Sequence, residues 1–318
     1  MRAGAQALSL LSVPLNVHIL AALAPGPMPL VDLRRAVGSP PQTTLRSRLR
    51  NLSDLGILER RRQASFPGTV DCELSEAGLD VGIVSAATLR WLRAAPAGPL
   101  EIDAVAAVSA LKALAEGWSS TIVRALAARP LSLTELNRLI SAHNYPSLER
   151  RLGAMRLAGQ IEGCAGEGRG TPYAVTDWLR QAVAPLVAAA RWERRHLRDR
   201  AAPVGRIDVE AYFLLALPLL RVSPDLSGTC RLAAELHSSN GEHHLAGAMV
   251  EVRRGQVVSC VSRLQGEAGA WASGSVSTWL RALLGEEASR LEVGGDGELV
   301  SSLLEGLRSG LFPVDSRS

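Results

Sequence analysis

With 318 residues, 47% of them apolar, the chain can fill the cores of two or three domains and reads as a soluble globular protein. Its formal charge of +4 conceals an asymmetry: residues 1–200 carry 25 Lys/Arg against 17 Asp/Glu, whereas residues 201–318 carry 10 against 14. A polyanionic partner therefore belongs on the first two thirds. Cys72, Cys164, Cys230 and Cys260 are widely spaced and form no CxxC pair, which speaks against a zinc site or a disulfide framework and fits a reducing cytoplasm.

The opening stretch, residues 1–26, is apolar but interrupted by Pro14, Asn16 and His18, and no uninterrupted apolar run reaches the length of a span. We read it as neither signal peptide nor membrane segment, and take Pro14–Leu23 as a first helix. A proline-containing turn leads to a short helix, Leu30–Val37, and a break follows at Gly38-Ser39-Pro40-Pro41. From Thr43 a third helix begins: Leu45, Leu49 and Leu52 share one face, and Thr43, Arg46, Ser47 and Arg50 cluster on the other. Gly56 is placed to close it, Ile57–Arg62 and Asp71–Leu74 read as two strands, and Ser75-Glu76 caps a further helix, Leu79–Arg93. Residues 94–99, rich in Ala, Pro and Gly, read as a linker.

The chain then repeats itself. Shifted by 103 residues, Ile19 falls on Ile122, Leu23 on Leu126, Leu33 on Leu136, Leu45 on Leu148, Leu49 on Leu152, Leu52 on Met155 and Gly56 on Gly159. A gapless offset over some forty residues requires that helix lengths and turns agree. The second copy reads as helices 119–127 and 133–141, a break at 143–146, a third helix, strands 160–164 and 173–175, and a cap at Thr176-Asp177. Asp177–Arg200 reads as one long helix with the charge run WERRHLRDR at its end, a solvated tail entering a linker or, as the alternative, an added phosphate contact. Helix, helix-turn-helix and two-stranded wing together make a winged helix, twice over.

LRSRLRNLSDLGILERRR followed by CELSEAGLDV resembles the HxlR-type winged-helix regulators of bacteria, at Thr44, Leu45, Arg48, Leu49, Leu52, Gly56, Leu58, Arg60, Leu74, Ser75 and Gly78. The resemblance covers residues 12–95 and, more weakly, 115–195. It implies a transcription factor that binds double-stranded DNA as a homodimer through helices flanking the winged helix; the tandem copy departs from the single unit such proteins commonly carry. The residues placed to meet DNA are Gln42, Thr43, Thr44, Arg46, Ser47 and Arg50 on the first recognition helix, Arg60, Arg61 and Arg62 on its wing, and Arg150 and Arg169 in the second copy. At the positions of Thr43, Arg46, Ser47 and Arg50 the second helix carries Pro146, Glu149, Arg150 and Gly153, so the first copy is the better reader, and for the second copy a mainly structural role as a pseudo-dimer partner stands beside DNA contact. The basic residues other than Lys112 are all arginine, which suits phosphate and guanine contacts and is also what a GC-rich genome produces.

From Arg206 the pattern changes to an apolar helix, strands 229–236, 244–252 and 257–263 with a turn at Arg253–Gln256, a segment 268–272, a Ser-capped helix 275–284, a short strand 291–293 and a final helix 297–311. Strands followed by helices give an α+β domain. DLSGTCRLAAEL, MVEVRRGQVVSC, SVSTWLRALLGE and LEVGGDGELVSSLLEGL, in that order, resemble the sterol carrier protein fold over residues 206–312. That resemblance implies a sheet covered by helices around an apolar cavity for a lipid-like or small hydrophobic effector. Candidate lining residues are Tyr212, Phe213, Leu217, Leu232, Met249, Trp271, Trp279 and Leu283, with the indole N–H of the two tryptophans available to orient a polar group.

The expected fold is mostly α with α+β: two tandem winged helix-turn-helix domains, 1–95 and 96–202, followed by a sterol-carrier-like α+β domain, 203–318. His237, His243 and His244 complete no metal-ligand spacing, and neither a nucleophile elbow, a P-loop nor a dinucleotide fingerprint occurs, so we expect no metal, no cofactor and no catalysis. The functional expectation is a cytoplasmic, nucleoid-associated repressor without membrane contact, controlled by the hydrophobic effector. Two alternatives stand beside it: a constitutive DNA-binding protein whose third domain only dimerises it, favoured by a filled core there, and a lipid carrier that does not bind DNA.

Overall fold

Two helices open the chain, α1 (Ala5–Leu11) and α2 (Pro14–Leu23), the second started by a proline whose missing N–H costs nothing at that position. The computed structural model describes residues 3–62, 70–115, 117–140, 145–165, 170–197, 200–237, 243–284 and 291–311. Reading the sequence missed α1, although Ala7, Leu8 and Leu11 are fully buried. Among the described residues no single helix is long and apolar enough to cross a membrane, and α1 and α2 meet at 87°.

After α2 come a two-residue strand β1 (Met28–Pro29), α3 (Leu30–Ala36), α4 (Gln42–Asp54), β2 (Leu58–Arg62), β3 (Val70–Leu74) and α5 (Glu76–Arg93). The strands form one antiparallel sheet in the order β1-β3-β2, with Leu58 opposite Leu74 and Met28 opposite Cys72. Helix α4 buries Leu45, Leu49 and Leu52. It ends where Gly56 takes φ +71°, with the Gly56 N–H on Ser53 O at 2.9 Å and the Ile57 N–H on Leu52 O at 2.9 Å. Those two bonds are a Schellman closure, which needs the left-handed residue that glycine supplies without strain.

The same architecture recurs 103 residues on. Helix α6 (Val105–Ala115) precedes α7 (Gly117–Ala128), β4 (Leu131–Ser132), α8 (Leu133–Leu139), α9 (Tyr145–Leu157), β5 (Ile161–Gly163) and β6 (Pro172–Val175). Sheet order is β4-β6-β5. The closure recurs as well: Gly159 has φ +71°, its N–H meets Arg156 O at 3.0 Å and the Gln160 N–H meets Met155 O at 2.9 Å. The sequence between α9 and Thr176 is two residues shorter than that between α4 and Ser75, so equivalence beyond it runs at an offset of 101: Ser75 Oγ donates to Gly56 O at 2.5 Å, and Thr176 Oγ1 to Gly159 O at 2.9 Å. Helix α8 has a full capping box that α3 lacks, with Glu135 accepting from the Ser132 N–H at 2.8 Å. Those bonds, with Arg129 beside them, hold the Glu135 carboxyl down to about 2. Because the folded value lies below the ordinary one, the cap contributes at pH above the normal carboxylate range and is lost as pH falls toward about 2. A carboxyl NMR titration is expected to follow this one residue downward.

Gly78, on the first turn of α5, lets that helix sit against the entry to β2: a Cβ there would lie 2.2 Å from Ile57 O. Helix propensity alone favours Gly78→Ala by about 1 kcal/mol, whereas a backbone clash of this kind costs about 1–3 kcal/mol. We expect a net loss of about 0–2 kcal/mol in urea unfolding; a stabilised variant would contradict the close approach.

The segment 177–200 is not one long helix. Pro185 sits where the backbone N–H would have to bond to the preceding turn, and the chain forms α10 (Asp177–Gln181) and α11 (Val183–His196) with a break at Ala182. Nor is its charged end a solvated tail. Trp192 and Glu193 are buried, Arg195 pairs with Glu76 and Asp80 at 2.7 and 3.1 Å, and His196 Nε2 lies 2.8 Å from Asp80. The carboxylate of Glu193 accepts from the N–H groups of Gly4, Gln6 and Ala7 at 2.8, 2.6 and 3.0 Å, capping α1 from far along the chain.

Beyond α11 come α12 (Arg206–Ala216), a single 3-10 turn at Leu217–Leu219 enforced by Pro218, and strands β7 (Gly228–His237), β8 (His243–Arg253), β9 (Gln256–Val261) and β10 (Ala270–Ser275). Helix α13 (Val276–Leu283), β11 (Glu292–Gly295) and α14 (Gly297–Leu311) complete it. The sheet runs β11-β10-β7-β8-β9, with β10 parallel to β7 and the other pairs antiparallel. Cys230, Leu232, Ala234, Ala246, Ala248, Val250, Ala270 and Ala272 form its buried inner side. Helix α12 is fastened to the preceding unit: Arg124 of α7 pairs with the buried Glu210, and Arg180 donates to Leu214 O at 2.8 Å.

Candidate nucleic-acid interface

Helix α4 presents its polar side to solvent. Gln42, Thr43, Thr44, Arg46, Ser47 and Arg50 are all exposed, while the leucines one turn apart between them are buried. Arg46 and Arg50 lie one turn apart on the same side, and Thr43 precedes them by another turn. The helix starts after Pro41 with no side-chain cap and no acidic residue in its first turn. Its N-terminal N–H groups and the positive end of its dipole therefore favour an anion there. Arg48 instead lies half-buried, on the side facing α1 with Asn51 and Leu55.

The wing carries Arg60 and Arg61 exposed on β2; the side chain of Arg62 lies outside the described residues. Arg61 is held between Glu59 at 3.6 Å and Glu73 at 3.2 Å. Those two carboxylates offset much of its charge and fix its direction. Across the strand pair from Arg60 sits Cys72, buried, its thiol pushed up by loss of solvent. Such a thiol is inert filling, as are Cys230 and Cys260, pushed up to about 12 by burial.

The equivalent surface of the second unit is weaker. Helix α9 exposes Pro146, Glu149 and Arg150, with Gly153 half-buried. Its strand β5 offers Glu162. Arg150 is exposed as expected, whereas Arg169 lies outside the described residues. The outward side of α4 is thus doubly cationic, and that of α9 carries one charge of each sign.

A second candidate site lies in the C-terminal region, as a cavity of about 30 Å³. Val183, Val204, Tyr212, Phe213, Trp279, Leu283 and Leu311 are among its walls, which are almost wholly apolar. A hole of that size has room for about two waters, yet without polar partners it stays dry. Of the eight expected lining residues, Tyr212, Phe213, Trp279 and Leu283 meet here. Leu217 and Leu232 are fully buried core elsewhere. Met249 and Trp271 are on the wrong side of the sheet. Alternation along β7, β8 and β10 buries Leu232, Ala248 and Ala272, and so turns Arg231, Met249 and Trp271, which are cross-strand neighbours, outward. The Trp271 ring, 37% exposed, lies on Gly294 of the edge strand, where a Cβ would come within 2.6 Å of it. The indole N–H of Trp279 is also committed, donating to Ala233 O at 2.8 Å while the ring meets Phe213 edge-on at 5.0 Å. Among the described residues no group of three His, Cys, Asp or Glu is placed to hold a metal ion.

Comparison with known proteins agrees with the first unit. Residues 12–95 match the family model of the HxlR-like helix-turn-helix, a stretch from the end of α1 to just beyond α5. No curated protein matches the chain.

Proposed function

We propose that this chain is a DNA-binding transcriptional regulator, a repressor acting in the cytoplasm at the nucleoid, with α4 as its groove helix and β2–β3 as its wing. The observation that carries the reading is the HxlR-like helix-turn-helix of residues 12–95 whose exposed helix side bears Thr43, Arg46, Ser47 and Arg50. Arginines at that spacing suit guanine edges and phosphates, and the uncapped start of the helix suits a phosphate. The test is binding to duplexes from the chain's own upstream region across a salt series. Sequence-selective affinity with a steep salt slope is expected; no affinity at low salt would sink the reading and promote the carrier alternative.

In the same reading the region from α12 to α14 is a sterol-carrier-like domain that reports on a small apolar effector. A cavity of about 30 Å³ supports this only through motion: a lipid-like molecule has room there after α13 and α14 part from α12. Such a ligand would shift the population toward the opened arrangement by its differential affinity. Val183 of α11 forms part of the wall, so opening would reach the helix that joins the two winged units. The nearly filled interior lends weight to the second reading, a constitutive DNA-binding protein whose C-terminal region only mediates dimerisation. A fluorescent acyl probe separates the two. Binding accompanied by changed operator affinity establishes effector control, and a probe that finds no site leaves the dimerisation role.

A further inference from the structure

We infer that one copy of this chain carries both halves of a DNA-reading dimer and so recognises a non-palindromic site, one strong half-site beside a weak one. This rests on the DNA-binding reading above. The indole N–H of Trp91 on α5 donates to Trp178 O at 2.7 Å, and that of Trp192 on α11 donates to Ala77 O at 2.8 Å. Under the offset of 101 that relates the units after their wings, Trp91 corresponds to Trp192 and Ala77 to Trp178. Exchange of the two units therefore turns each bond into the other. A reciprocal contact of this kind defines an interface about a two-fold axis, here between two stretches of one chain.

The rest of the junction follows the same axis. Helix α5 packs on α11, its counterpart, and α1 packs on α6, its counterpart. Both helices are apolar and buried over much of their length, with Val84, Ala87, Trp91 and Leu92 covered on α5 and Leu186, Val187, Ala189 and Ala190 on α11, where Ala189 and Ala190 also lie against Gly4 of the α1 start. Surfaces consumed inside the chain are closed to a second copy. The dimer contact that the family resemblance implies is thus supplied internally. Departures from the axis hold the pair in one arrangement: Glu193 caps α1, and Arg195 and His196 bind the start of α5.

A two-fold axis relating α4 and α9 presents them to a duplex as an inverted pair, the arrangement that a palindrome matches when both readers are alike. Here they differ at each outward position. Thr43, Arg46, Ser47 and Arg50 of α4 face Pro146, Glu149, Arg150 and Gly153 of α9 in the correspondence. In a dimer of identical chains both readers would carry the same sequence and could not diverge. In one chain they can.

Selection of tight binders from a duplex pool with a random centre, using the full chain, followed by mass measurement of the complexes, tests the inference. Expected are one chain per duplex and a consensus without internal symmetry. Arg46→Ala with Arg50→Ala should weaken binding on the order of 100-fold, and Arg150→Ala by less than about threefold. Glu149→Arg with Gly153→Arg, monitored by circular dichroism for folding, should move preference toward an inverted repeat of the strong half-site. Two chains per duplex on a palindrome would overturn the internal dimer, and an Arg150→Ala loss equal to that of the first unit would overturn the pairing of a strong with a weak half-site; both outcomes leave DNA binding intact. Absence of any duplex binding would remove the reading on which it rests.

Discussion

Removing the two guanidinium groups of α4, by Arg46→Ala with Arg50→Ala, is expected to cost about 3 kcal/mol of operator binding, on the order of 100-fold. Both side chains are exposed and one turn apart on the side opposite the buried Leu45, Leu49 and Leu52. The fold therefore does not depend on them, and unfolding should move by no more than about 0.5 kcal/mol. How the loss is distributed tells which job each performs. If Arg46 reads a base, its removal relaxes preference at one position of the site. If Arg50 holds phosphate, its removal weakens all sequences alike and lowers the salt slope by about 1. A double variant with unchanged affinity would place the DNA elsewhere on the molecule. Arg61→Ala should do less, because Glu59 and Glu73 already engage that side chain.

Loss of the Glu193 carboxylate should have the largest effect on stability: Glu193→Ala is expected to lower unfolding free energy by about 3–5 kcal/mol. The side chain is almost completely buried, and burial pushes its carboxyl up, against the pull of three backbone N–H donors. A carboxylate in that position costs desolvation, offset by charge-assisted bonds to the start of α1, where the helix dipole is positive. Truncation leaves the N–H groups of Gly4, Gln6 and Ala7 facing an apolar hole, each unsatisfied donor costing about 1–3 kcal/mol. The helix can relieve this only by pulling away, which exposes Leu8 and Leu11. Gly4 restricts any adjustment further: at φ +82° its missing Cβ would already lie 3.0 Å from Ala189 Cβ. Glu193→Gln should fall between, since one amide oxygen still reaches two donors while its NH₂ opposes the third. Denaturant unfolding gives the magnitude, and hydrogen exchange at residues 5–11 tells whether α1 detaches first. A loss under 1 kcal/mol would show that the contact is dispensable.

Much of the fold was written locally, in patterns that need no knowledge of the rest of the chain. Leucines at helical spacing and glycines where a helix must close in the left-handed region determined α4 and α9, and Ser75 and Thr176 marked the starts of α5 and α10. The gapless repeat predicted two copies of one element order, because equal spacing implies equal helices and turns. The polar side of α4 was legible for the same reason: once the leucines define the inside, Arg46 and Arg50 can only be outside. What tertiary structure alone decided concerns partners distant in sequence. Glu193 and its neighbours look like a solvated charge run until α5 and α1 are brought against them. Trp271 and Trp279 are alike as residues, yet strand alternation turns one outward onto Gly294, and helix packing turns the other inward onto Phe213 and Ala233 O. Cavity volume likewise depends on how closely several elements approach, which no local pattern encodes. The two-fold relation between the units needed Trp91 and Trp192 each to find a carbonyl in the other half. Periodicity reports which side of an element is buried, and only the assembled chain determines what that side is buried against.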